Sequence, residues 1–278
     1  MQGGADGLVY ACLTHVPLGV AFPPYVTPIY MGEAQQAGQL NLRELAPEWV
    51  EYHPILGSLA GLFALKNYLR IAHPDATRVG VCQYRKFVSR ARVGQQASNY
   101  QVMNVMTKEQ FAAFDPYLLM LPGDAPFLVG QMGQFVMNGK NYDILYQYKD
   151  VHHVEDLLRF TAEAVALGVL DKQDVHPFFG EIMFFPGGLE LGVFPADFWL
   201  DAVTGIEAVV RSCVSRFSDV RREGYQARAW AFCVERLGSY FLLRHFRRNY
   251  PEQVWKGAFI GHLNLINDDG SLAYAVGT

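Results

Sequence analysis

The sequence has no basic surplus, no cysteines at metal-binding spacing and no long apolar run, and each absence removes a class of function. A formal net charge of −4 argues against a general nucleic-acid binder. Cys12, Cys82, Cys213 and Cys233 are scattered through apolar surroundings without a CxxC pair. They read as reduced, buried thiols, which favours a cytosolic chain over a disulfide framework or a zinc site. No stretch approaches the ~18 consecutive apolar residues of a membrane span, and the first residues, MQGGADGLVYACLTH, lack the basic start of a secretory signal. The expectation is a cytoplasmic protein. GxGxxG after the first strand, GxxxxGK[ST], HExxH and GxSxG are all missing, which removes the main support for dinucleotide, P-loop, zinc-protease and α/β-hydrolase chemistry. An Asp-x-Asp motif at a strand end is missing too. There is no internal repeat, low-complexity segment or clear linker.

What is present is a core-forming chain of 278 residues, 51% hydrophobic, which suits one α/β domain with insertions or two small domains. Leu8–Leu13 and Val79–Cys82 are short apolar runs that read as buried strands. Four prolines between residues 17 and 32 forbid a helix there and leave a loop with an extended piece at Tyr25–Tyr30. Leu56, Leu59, Leu62, Phe63 and Leu69 recur at helical spacing behind Pro54, predicting an amphipathic helix with Lys66 near its end. Further on, the pattern predicts strands over 117–121, 142–145 and 180–185. Helices are expected over 152–170, 195–215 and 224–248. Turns are expected at Pro186-Gly187-Gly188 and at 267–270. Alternating strands and helices predict an α/β fold with a mainly parallel sheet.

The chemistry concentrates at the strand ends. Gln83, Tyr84, Arg85 and Lys86 follow the Val79–Cys82 strand directly, and Thr14-His15 follows the first strand. Open α/β sheets bind ligands outside the carboxyl ends of their strands. A guanidinium fork and a lysine there suit an anionic ligand with hydroxyls; a strand running onto a solvated surface is the alternative. His152-His153 beside Glu155 and Asp156 reads as solvated capping of a helix rather than a metal cluster. Tyr240–Pro251, basic and aromatic, reads as a helix end with dipole-matched cations, or as a docking surface for acidic lipid or a partner.

VGVCQYRKFV from Val79 to Val88 resembles the signature VGLCHYRRYF of a bacterial glycosyltransferase-like family. That family is found in capsular and surface-polysaccharide gene clusters and was long catalogued only as a domain of unknown function. HPILGSLAGLFALKN from His53 to Asn67 resembles its NPxYCELTGLYWxWKN. Shorter pieces at Pro28–Gly32, Tyr142–Leu145, Tyr225–Arg228 and Phe232–Leu237 follow in the family's order. The resemblance implies one GT-A-like α/β domain over residues 1–278, with a nucleotide-sugar half to about 145 and an acceptor half after it. It implies a transfer from a nucleotide sugar, UDP-linked by expectation, to a capsular or other surface glycan, free or lipid-linked. Weak contact with the inner face of the membrane would accompany that role. Arg85 and Lys86 would neutralise the donor diphosphate in place of a divalent ion, with Thr14, His15, Gln83 and Tyr84 beside them. Lys66, Arg228 and Arg236 would be further diphosphate contacts, and Glu235 an internal partner of Arg236 or Arg228.

The chain departs from the pattern at Gln83, where the family has His, and at Ser58 and Ala60, where it has Glu and Thr. Ala64 and Leu65 replace two tryptophans. An inverting transfer needs a carboxylate to take the acceptor's proton. Asp143 and Glu181, at expected strand ends, are candidates, with a helix cap or a salt bridge as their alternative roles. The departures also admit a non-catalytic binder of sugar nucleotide or glycan on the same fold, or an interaction subunit of a polysaccharide-assembly complex.

Overall fold

A computed structural model describes residues 7–34, 38–119, 125–137, 139–218, 222–267 and 271–273. Its main sheet is built around β1 (Leu8–Thr14), flanked in parallel by β2 (Val26–Tyr30) and β3 (Arg78–Gln83). Tyr10 and Cys12 pack on one face of β1 and Ala11 and Leu13 on the other, all of them buried. Burial on both faces explains a continuous apolar run with no polar alternation.

β3 turns back after only two residues, Tyr84 and Arg85, into β4 (Lys86–Ser89). Further strands are β5 (Gln95–Gln96), β6 (Met103–Met106), β7 (Leu128–Val129), β8 (Gly133–Met137) and β9 (Lys140–Tyr142). β10 (Met183–Phe184), β11 (Gly192–Pro195) and β12 (His262–Ile266) complete the set. The sheet order is β2-β1-β3-β4-β12-β6-β5, with β11 antiparallel to β3 and β7. β10, β8 and β9 form a small antiparallel sheet. The architecture is α/β with a parallel centre and mixed flanks. β11 and β12, late in the chain, are woven into the sheet begun by β1 to β4.

The helices are α1 (Leu42–Leu45), α2 (His53–Leu56), α3 (Ser58–Ala72), α4 (Lys108–Ala112), α5 (Ile144–Val151) and α6 (Val154–Ala166). α7 (Val175–Phe179), α8 (Ala196–Arg216), α9 (Ala229–Asn249) and α10 (Glu252–Ala258) follow. α3 is buried all round from Leu59 to Lys66, because β1, α1 and α8 enclose it, so it is less amphipathic than its spacing predicts. Gly61 permits the close approach to β1: a Cβ there would lie 2.8 Å from Met31 Sδ and 3.1 Å from Leu13 Cδ2. No helix among the described residues is long and apolar enough to cross a membrane.

Three expectations change. Residues 142–145 are not one strand: β9 ends at Tyr142, and Asp143 caps α5, its carboxylate accepting from Tyr146 N at 2.8 Å. An Asp three residues ahead of a free helical N–H outcompetes the short apolar run. Residues Pro116–Leu119 form a single 3-10 turn, and the rest of that expected strand, 120–121, lies outside the described residues. Of the run 180–185 only Met183 and Phe184 pair as strand. The turn expected at 267–270 falls mostly outside the described residues.

Candidate functional site

Thr14, at the end of β1, is fully buried, and its hydroxyl donates to Val16 O at 2.5 Å and accepts from Val16 N at 3.2 Å. This turn presents His15 at the rim. The β3–β4 turn is tied to the same edge by Tyr84 N donating to Leu13 O at 3.2 Å, so Tyr84 meets the His15 ring edge-on at 5.1 Å. The Arg85 guanidinium lies over the Tyr84 ring at 5.6 Å. α2 adds His53, its ring 6.4 Å from that of His15.

Arg228 arrives from more than a hundred residues away, at the end of the 3-10 turn Gly224–Arg228 that leads into α9. Its guanidinium packs against Gly57, which has φ +58°; a Cβ at that position would sit 2.9 Å from Arg228 Nη2. Glycine is needed there both for the backbone conformation and for the space. The guanidiniums of Arg85 and Arg228 make no hydrogen bond or ion pair with any described residue, and Arg228 Nε is buried without a partner. The arginines in the last turns of α9 are committed: Arg244 and Arg248 hold Asp174 at 2.6 and 3.2 Å, and Arg247 holds Glu181. The charge of the Tyr240–Pro251 segment is thereby matched by acids.

The rim also contains a buried carboxylate. Glu190, in the 3-10 turn Gly188–Glu190 ahead of β11, is only 8% exposed. Its Oε2 accepts from Ser58 Oγ and from Gln83 Nε2, the latter at 3.1 Å, and Gln83 Nε2 also donates to Ser58 Oγ at 3.0 Å. Burial raises the Glu190 pKa, Ser58 draws it back, the charge of Glu235 raises it, and Arg228 and Lys86 lower it. Glu235 itself accepts from Gly187 N at 2.8 Å and so braces the turn that carries Glu190. His15 is held below its ordinary pKa by burial, then by Arg85 and Arg228. His53 is lowered by burial, His15 and Arg228.

Of the residues singled out in the sequence, Thr14, His15, Gln83, Tyr84, Arg85, Lys86 and Arg228 therefore share one rim. Four others have structural partners elsewhere. Lys66 is buried and paired with Glu207 of α8, which also accepts from Trp49 Nε1 at 2.7 Å. Eight residues of helix carry Lys66 ~12 Å down α3 from Ser58, into the core. Arg236 donates to Gln147 Oε1 at 2.7 Å and to Phe232 O at 2.8 Å, and lies over the Tyr148 ring at 4.9 Å, clamping α9 to α5. Asp143 is the α5 cap, and Glu181 is bound by Arg247 and accepts from Met183 N at 3.1 Å. Asp143→Ala is expected to cost about 1 kcal/mol of stability, as a lost N-cap does, with ligand affinity at the rim unchanged; urea denaturation and calorimetric titration check the two parts. His152 is not a solvated cap either. It stacks on Phe232 at 4.2 Å, and burial pushes its pKa down to about 4.

Glu190 and His53 are the rim residues that sequence reasoning passed over, and Ser58 stood out there only as a departure from the family pattern. The one local hint for Glu190 is its place just after Gly187-Gly188, both with positive φ, which fold the chain back beneath the rim. Two cavities, of about 410 and 550 Å³, lie instead around Tyr250 and α10. In the first, Arg247 and Lys256 are already paired with Glu181 and Glu252, and the second is lined by Arg90 among mainly apolar residues. Among the described residues, no three His, Cys, Asp or Glu side chains are grouped to hold a metal ion.

No family model and no curated protein matches the sequence. Among solved structures, the chain is similar to the apo structure of the bifunctional glycosyltransferase WbbM, with a TM-score of 0.71 at 10% identity. The chain shares its α/β fold with part of that protein. The match covers 98% of this chain and 47% of WbbM, so the chain spans about half of that protein's length.

Proposed function

We propose that the chain is a glycosyltransferase moving a sugar from a nucleotide-diphosphate donor, UDP-linked by expectation, to a hydroxyl of a capsular or other surface glycan. The observation that carries this reading is the pair of guanidiniums, Arg85 and Arg228, uncommitted beside His15 at the carboxyl edge of β1 and β3. Unpaired cations at one edge of a sheet call for an anion. With Lys86 they would bind the diphosphate and stabilise the charge that develops as it departs, the role a divalent ion plays in metal-dependent transfer.

Glu190 supplies the acceptor side. Ser58 and Gln83 hold its Oε2, and burial gives it the raised pKa of a working base. In the step we assign, Glu190 takes the proton of the acceptor hydroxyl as its oxygen bonds to the sugar's anomeric carbon. The bond from that carbon to the phosphate oxygen breaks, and its electron pair leaves with the nucleoside diphosphate. A direct displacement of this kind inverts the anomeric configuration. Ser58 and Gln83, two of the five positions where the chain departs from the family pattern, are the two that hold the carboxylate.

A thermal-shift screen with UDP-, GDP-, CMP- and dTDP-sugars tests the reading. A ligand at a hundred times its Kd stabilises by about 2.7 kcal/mol, which raises the Tm of a chain of this size by roughly 5 °C or more. One nucleotide class is expected to do so, followed by turnover with a glycan acceptor. No shift with any of the four would overturn the proposal; a shift without turnover would leave a binding protein.

A further inference from the structure

We infer that the rim takes up its phosphate ligand together with a proton, carried by the pair His15 and His53. The inference rests on the reading of the rim as a diphosphate site and adds the protonation state in which that site works. Two imidazoles stand 6.4 Å apart at a sheet edge where the guanidiniums of Arg85 and Arg228 form no ion pair or hydrogen bond with a described residue. Arg85 and Arg228 bear on His15, with Tyr84 packed edge-on against it; His15 and Arg228 bear on His53. The buried carboxylate of the rim, Glu190, is engaged by Ser58 and Gln83 and faces Arg228 and Lys86.

Burial lowers the pKa of both imidazoles, and the positive charges of Arg85 and Arg228 on His15, and of Arg228 on His53, lower them further. A dianion seated between Arg85 and Arg228 reverses the sign of that field, and the imidazolium form becomes the favoured one. Binding then pulls a proton onto the pair. By linkage, protons must strengthen anion binding to the same degree. The sign follows: if the bound-state pKa exceeds the free-state pKa, affinity rises as pH falls through the bound-state value. It levels off once the free protein is itself protonated. For one proton the slope approaches a factor of ten per pH unit.

Sulfate is a suitable probe, because it stays dianionic from pH 5.5 to 8 and carries neither base nor sugar. Binding to the full chain is followed at constant ionic strength by NMR of the histidine rings. The expected result is affinity about threefold tighter at pH 6 than at pH 7.5, with at least one of the two ring pKa values raised by about a unit at saturating sulfate. The double variant His15→Gln, His53→Gln should bind with an affinity that does not change with pH. Sulfate that binds equally at both pH values, and that Arg228→Ala displaces, would overturn the inference and leave the diphosphate reading standing. A pH slope that survives in the double variant would also overturn it. Absence of sulfate from the rim at every pH would count against both readings. Should the double variant fail to fold, the wild-type ring pKa values with and without sulfate still decide.

Discussion

Arg228→Ala is expected to weaken nucleotide-sugar binding by about 10- to 100-fold while leaving the fold as stable as before. Hydrogen bonds to charged groups contribute about 1.5–3 kcal/mol each, and about 1.4 kcal/mol is a factor of ten. An arginine that grips a phosphate loses at least that much when truncated. Ordinarily such a change also costs stability, because the partners of the guanidinium are left unpaired. Arg228 makes no hydrogen bond or ion pair with a described residue: its Nε is buried without a partner, and its remaining contacts are the Phe232 ring at 5.9 Å and the more distant charge of Glu190. Removing it relieves an unsatisfied polar group, so the Tm should hold or rise slightly. Arg85→Ala should behave alike, and because both arginines grip one ligand their effects should not add. Calorimetric titration alongside a thermal melt separates the outcomes. Unchanged affinity in both variants would remove the anion site, and a collapsed Tm would show that Arg228 is a structural residue.

Glu190→Gln should produce the largest loss of turnover, about 10²- to 10⁴-fold, which is the usual contribution of a positioned base. The substitution keeps the shape of the side chain and an oxygen for Ser58 and Gln83 to donate to, so donor affinity should stay within about threefold. A base works deprotonated, and burial raises the Glu190 pKa. The wild-type rate should therefore fall as pH drops through that raised value, at higher pH than for a solvated carboxylate, and the variant should lack this limb. If the variant turns over normally, the acceptor's proton goes elsewhere. Should donor binding fall with activity, Glu190 would be shaping the cleft rather than acting as the base.

Much of the architecture was legible because its signals are local. Leu8–Leu13 and Val79–Cys82 announce strands buried on both faces, and α3, α8 and α9 show their periods in a dozen consecutive residues. The basic turn at Tyr84-Arg85 could be placed at a strand end from its immediate neighbours alone. Misreadings arose where a single side chain decides a boundary, as Asp143 does when it converts an apolar run into the first turn of α5. For Lys66 and Arg236, charge type says nothing about direction. Lys66 points along α3 into Glu207 on α8, and Arg236 points at Gln147 on α5.

The sequence by itself determined the α/β class, the buried central strands and the cationic turn at their carboxyl edge, since each depends on residues adjacent in the chain. Only the tertiary structure decided which charges meet at that edge. Glu190 lies 132 residues from Ser58 and 107 from Gln83, and Arg228 comes from farther along still. Such encounters depend on how β11 inserts beside β3 and how α9 packs against α2, and no local pattern encodes them. Burial, which raises the pKa of Glu190 and lowers those of His15 and His53, exists only once those elements have packed.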